Sequence, residues 1–121
     1  MKVRCVKLAD SLGRATTQSP WLTIGQTYHV LSVVLDSHSR WLLRLIGDED
    51  EDVGLFLLEQ FEVLTSCVPA PWVVSWSKAG IFELSPRAWL VSGFWERYFD
   101  RDQAAKEDFD RERNSIIQSD P

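Results

Sequence analysis

The sequence predicts an α+β fold, with a small, strongly bent antiparallel β-sheet or partly open barrel followed by a β-hairpin and C-terminal helices. Three observations carry this. Short apolar segments with strand character, separated by polar connections, fill the first two thirds of the 121 residues. Helix-start chemistry occurs only later, at Ser85-Pro86 and at Asp102. A composition of 45% hydrophobic and 26% charged residues supports one core and excludes disorder along the whole length. Residues 1–121 read as a single domain, with a β-rich half over 1–67 and a hairpin plus helices over 68–121.

Residues 1–8 form a candidate first strand in which Val3 and Cys5 share a face before the alternation shifts to Val6 and Leu8, a phase change that predicts a bulge. Residues 9–22 are polar and end in Ser19-Pro20 before Trp21, as a long loop would. Residues 27–35 (TYHVLSVVL) are β-branched and aromatic with no helical period, and read as one strand after the turn at Gly25. The tetrad 36–39 has hairpin composition. In residues 40–46, Trp41, Leu43 and Leu45 alternate onto one face, which predicts all three in the core. Residues 53–58 and 61–64 are two further short strands.

Val68-Pro69-Ala70-Pro71 admits no regular element and is the best internal boundary. Beyond it, residues 72–76 place Trp72, Val74 and Trp76 on one face and pair with 81–84 as a second hairpin. Ser85 as cap and Pro86 at the first helical position predict a short helix over 86–90. Ser92-Gly93 interrupts it, 94–99 makes another turn or two, and Asp102 caps a longer helix to about residue 117. In that helix Ala105, Phe109 and Ile116 lie near one face, and Asp102 with Lys106 and Glu107 with Arg111 form i, i+4 pairs.

Function is less legible. There is no Gly-rich phosphate loop, nucleophile elbow, HExxH or Cys-x-x-Cys. His29 and His38 read as a core or edge histidine and a loop histidine, so no catalytic residue is assigned and an enzyme is not expected. Cys5 and Cys67 read as reduced, inert core thiols, and neither a metal nor a cofactor is expected. No apolar run approaches the roughly 18 to 20 residues of a membrane span. The N-terminus lacks a secretory leader, so the expected compartment is the cytoplasm.

The net charge of −5 is unevenly spread. Residues 1–46 hold six bases against two acids, and residues 47–121 hold seven against sixteen. An acidic second half repels phosphate and favours a basic partner, so nucleic acid is not expected to bind there. The run Asp48, Glu49, Asp50, Glu51, Asp52 is the densest charge, a candidate steering patch for such a partner, with Glu59, Glu62 and Arg40 as rim contacts. Six tryptophans suggest an aromatic core, one or two of them serving as surface anchors or closing a homodimer. An alternative from a different class is a regulatory or adaptor barrel that binds a peptide or RNA through a basic face of Arg4, Arg14, Arg40 and Arg44.

Residues 69–116 carry Pro69-x-x-Trp72-Val73-Val74, then Gly80-x-x-x-Leu84-x-Pro86-x-x-Trp89, then Gly93-Phe94-Trp95-Glu96-x-Tyr98 and an acidic helix. This arrangement resembles a group of small bacterial cytoplasmic proteins, some of which look like immunity proteins encoded beside polymorphic or contact-delivered toxins. TIGQTYHVLSV (residues 23–33) and FEVL (61–64) are similar to their barrel half. Ser92 stands where the motif often has Pro. The resemblance implies a non-enzymatic inhibitor that neutralises a cognate toxin, such as a basic nuclease, by tight association.

Overall fold

A computed structural model describes residues 1–49 and 52–121. Among these residues, eight strands form two antiparallel sheets that do not close into a barrel. The strands are β1 (Lys2–Cys5), β2 (Thr27–His29), β3 (Ser32–Leu35), β4 (Trp41–Ile46), β5 (Val53–Leu57), β6 (Phe61–Thr65), β7 (Trp72–Trp76) and β8 (Phe82–Pro86). A three-stranded sheet runs β2-β1-β6 and a five-stranded sheet runs β5-β4-β3-β8-β7. Two 3₁₀ turns (Leu58–Gln60 and Arg87–Leu90), α1 (Phe94–Phe99) and α2 (Gln103–Ser119) complete the chain. The fold is α+β.

The expected single strand over 27–35 is two strands in different sheets. Val30 N–H donates to the Met1 carbonyl and Leu31 N–H to the Arg44 carbonyl, so the chain passes from one sheet to the other between them. Both residues are buried at this crossing. The phase change after Cys5 does have bulge geometry: regular pairing of β1 ends there, and Val6 and Lys7 both donate to the Gln60 carbonyl, two residues against one, while a further register irregularity falls between Lys2 and Val3.

The two faces of the large sheet are covered differently. Ser32, Arg44 and Glu83 share the face under α1, where the Arg44 guanidinium lies 4.3 Å from the Trp95 ring. Trp89, Phe94, Tyr98 and Phe109 fill that layer, with Trp89 stacked on Phe109 at 5.1 Å. Leu43 and Leu45 point the other way and join Val3, Tyr28 and Phe61 in the buried core. Trp41 does not follow them. It stands opposite Leu35 at the hairpin end of β4, beyond the covered part of the face, and is 44% exposed.

Other expectations are corrected by tertiary partners. Trp72 is buried and donates its indole N–H to the Leu31 carbonyl at 2.9 Å, but Val74 and Trp76 on the same face are exposed. The short helix expected over 86–90 is the 3₁₀ turn Arg87–Leu90, but Ser85 does not cap it: Ser85 and Pro86 end β8, and Ser85 is buried opposite Val73 with its hydroxyl capping nothing. Asp102 does cap α2, accepting from the Ala105 amide at 3.0 Å, and Ala105, Phe109 and Ile116 are its buried residues. With Asp102 so engaged, Lys106 pairs with Asp110, while Arg111 turns to Asp108 and Glu112 instead of Glu107. Both cysteines are free thiols; Cys5 is buried, but Cys67 is exposed in the segment before the prolines and is no core residue.

Candidate functional site

The acidic run lies in the β4–β5 connection, at the edge of the large sheet. Its base is fixed by Gly47. A Cβ there would come within 2.6 Å of the Trp21 carbonyl oxygen, the atom that accepts from the Asp48 amide at 2.8 Å. Only glycine lets the 9–22 loop and the hairpin approach this closely.

Asp48 and Asp52 are anchored at opposite ends of the run. Asp48 accepts from the Tyr28 hydroxyl at 2.7 Å and from the Thr23 hydroxyl at 2.6 Å. Burial, reinforced by that carboxylate, pushes the Tyr28 hydroxyl up to about 12, so it remains a donor throughout the physiological range. Asp52 accepts a two-pronged bond from Arg101, at 2.7 and 2.9 Å, and lies 3.3 Å from the Tyr98 hydroxyl. The Arg101 contact holds the Asp52 carboxyl below its ordinary range, while burial and the Asp52 charge push Tyr98 up to about 12. Glu49 is exposed. Asp50 and Glu51 lie outside the described residues.

Of the expected rim contacts, Arg40 and Glu59 come together. Both line a cleft of about 530 Å³ with Leu12, Trp41 and Leu57. Arg40 also borders an adjoining cleft of about 730 Å³ between the 9–22 loop and the edge strand β5, which it meets along Val53 to Leu57. Arg40 is held by Asp36 at 2.8 Å, and Glu59 has Lys7 at 3.9 Å. Glu62 is not part of this arrangement; it pairs with Arg4 across β6 and β1 in the three-stranded sheet.

Leu12, Trp21 and Leu55, all exposed around these clefts, were not singled out from sequence. The signal was present in Leu12 and Trp21, two large apolar side chains inside an otherwise polar loop.

Arg44 drops out of the basic face expected for a peptide or RNA reader. Arg44 is only 8% exposed and pairs with Glu83, and Arg4, Arg14 and Arg40 each contact their own carboxylate. His29 lies 2.8 Å from the Asp120 carbonyl, and His38 sits in the β3–β4 turn. Among the described residues no group of three His, Cys, Asp or Glu side chains is placed to hold a metal, and no helix is long and apolar enough to cross a membrane. Comparison with protein-family models, curated proteins and solved structures finds no match.

Proposed function

We propose that this is a non-enzymatic binding protein, an immunity-type inhibitor that associates with a basic toxin through the acidic β4–β5 hairpin and the cleft beside β5. One observation supports this reading above the others: an acidic connection leads directly into an exposed apolar cleft, the cleft's lining beginning at Val53, one residue after Asp52. The two parts do different work. Carboxylates accelerate encounter with a basic surface, and the apolar walls around Leu12, Trp21 and Leu55 supply the desolvation that slows release. The Trp motifs of residues 69–116 and their likeness to immunity proteins add the biological setting, a toxin encoded nearby and a cytoplasmic site of action.

The test begins with tagged protein purified from its native cells, with bound polypeptides and nucleic acid identified together. A stoichiometric basic toxin, whose toxicity is relieved by co-expression, is the expected result; recovery of the chain alone or with RNA overturns the reading. The charge role is then isolated by Glu49→Gln, Asp50→Asn and Glu51→Gln combined, leaving the anchored Asp48 and Asp52 in place. Association with the toxin should slow on the order of tenfold at low salt and lose much of its salt dependence, with stability unchanged. Unaltered association kinetics remove the steering role.

A further inference from the structure

The opposite edge of the large sheet carries a second surface. β7 is the edge strand there, and its residues Trp72–Trp76 include no charged side chain. Ser77 N–H donates to the Ile81 carbonyl, and antiparallel pairs alternate between bonded and unbonded. Ser75 with Glu83 and Val73 with Ser85 are therefore the bonded pairs toward β8. Pro86, which has no N–H, falls opposite Trp72 in an unbonded pair, as the alternation requires. The N–H and C=O groups of Val74 and Trp76 consequently point off the sheet. The Trp72 N–H is already taken by the Pro69 carbonyl.

On the side-chain level the same edge is apolar and uncovered, with Val74 66% and Trp76 79% exposed. Trp76, Phe82, Leu35 and Trp41 are successive direct partners in register, so they form one row across four strands on a single face. Natural edges of this kind are ordinarily protected by lysine, proline or a bulge within the strand. This one has none of the three.

We propose that β7 pairs antiparallel with β7 of a second copy of this chain, about a twofold axis at Ser75. That register sets Val74 of each copy opposite Trp76 of the other, satisfies the outward N–H and C=O of both residues in each copy, and leaves the engaged Trp72 N–H undisturbed. Charge favours a second copy over a partner of opposite sign, because the strand offers nothing for an opposite charge to pair with. In the resulting ten-stranded sheet the two β5 edges lie nine strand spacings apart, about 40 Å, several times the Debye length, so the acidic hairpins do not oppose association. Covering one Trp and one Val per copy with the strand edge removes roughly 300 Å² per copy, below the ~800 Å² of a standard stable interface. The dimer therefore dissociates on dilution. Its formation leaves the β5 cleft open and does not depend on the toxin.

Light scattering across a dilution series should give a mass that rises toward two copies, and Trp76→Lys should hold the chain monomeric with an unchanged circular dichroism spectrum. The register is read by Ser75→Cys in a Cys67→Ser background. Facing Cα atoms in an unbonded pair are about 4.5 Å apart, within disulfide reach, so this variant should oxidise to a covalent dimer. Ser37→Cys in the same background, on the exposed β3–β4 turn, should not. A wild-type mass of one copy at every concentration, association unchanged by Trp76→Lys, or equal crosslinking at residues 37 and 75 would each overturn the proposal.

Discussion

Arg44 shows how one residue can read as a surface base and serve as a core strut. The strand alternation puts it on the face opposite Leu43 and Leu45, which suggests solvent, yet α1 lies over that face. There its guanidinium reaches Glu83 at 2.9 Å and the Ser32 hydroxyl at 2.8 Å while stacking on Trp95. Burial pulls its pKa down and Glu83 pushes back, and the guanidinium stays charged in either case. The energetic weight lies in what a broken pair leaves behind. Glu83→Ala strands a buried charge and should cost about 3 kcal/mol in urea unfolding, whereas Arg44→Met with Glu83→Leu removes both charges and should recover most of that loss. A double variant no more stable than Glu83→Ala would mean that packing against Trp95, not the charge pair, dominates.

At the scale of elements, α2 is the part whose sequence and structure agree most closely, because its signals are local. Asp102 stands at the cap and bonds the Ala105 amide, and the buried stripe of Ala105, Phe109 and Ile116 follows the helical period. Asp102→Ala should lower stability by about 1 kcal/mol, and Asp102→Ser should restore most of it, measured by thermal unfolding. Elements decided by distant partners were less legible. The run 27–35 contains no turn residue, and its division at Val30 and Leu31 is made by the carbonyls of Met1 and Arg44. Ser85-Pro86 has sound helix-start chemistry and a 3₁₀ turn does begin at Arg87, but pairing with β7 keeps Ser85 and Pro86 themselves in a strand. The candidate site divides along the same line. The acidic connection was visible as five carboxylates between two apolar segments, and Arg40 with Glu59 do share a cleft. The wall formed by the 9–22 loop was not visible, since it depends on Trp21 meeting Gly47, and neither was the separation of Glu62 into the other sheet.

Across the whole molecule, the two sheets and the helices are tied together by a clasp at Asp120, just beyond α2. Its carboxylate accepts from the Thr65 hydroxyl of β6 and lies 3.2 Å from the Met1 ammonium, and its carbonyl meets His29 of β2 at 2.8 Å. Thus α2, whose first half packs on the aromatic layer of the large sheet, is fastened at its far end to the small one. The Thr65 bond, helped by the ammonium and by Lys2, holds the Asp120 carboxyl below its ordinary value of 3.8. A carboxyl with a depressed folded value stabilises above its unfolded value and ceases to do so as the pH falls through the folded one. The clasp is therefore intact at neutral pH and is released only in acid, below about pH 4. Because Asp120 closes the structure without filling its core, Asp120→Ala should free the last turn of α2 and the Lys2 amide, which donates to the Thr65 hydroxyl, while the global unfolding midpoint moves little. Hydrogen exchange checks this once rates are corrected for the intrinsic pH dependence of amide exchange: protection at these amides should fall at neutral pH, and the difference from the parent chain should shrink in acid. Equal protection in both proteins at neutral pH would show that the helix end is held by Ile116 and its neighbours alone.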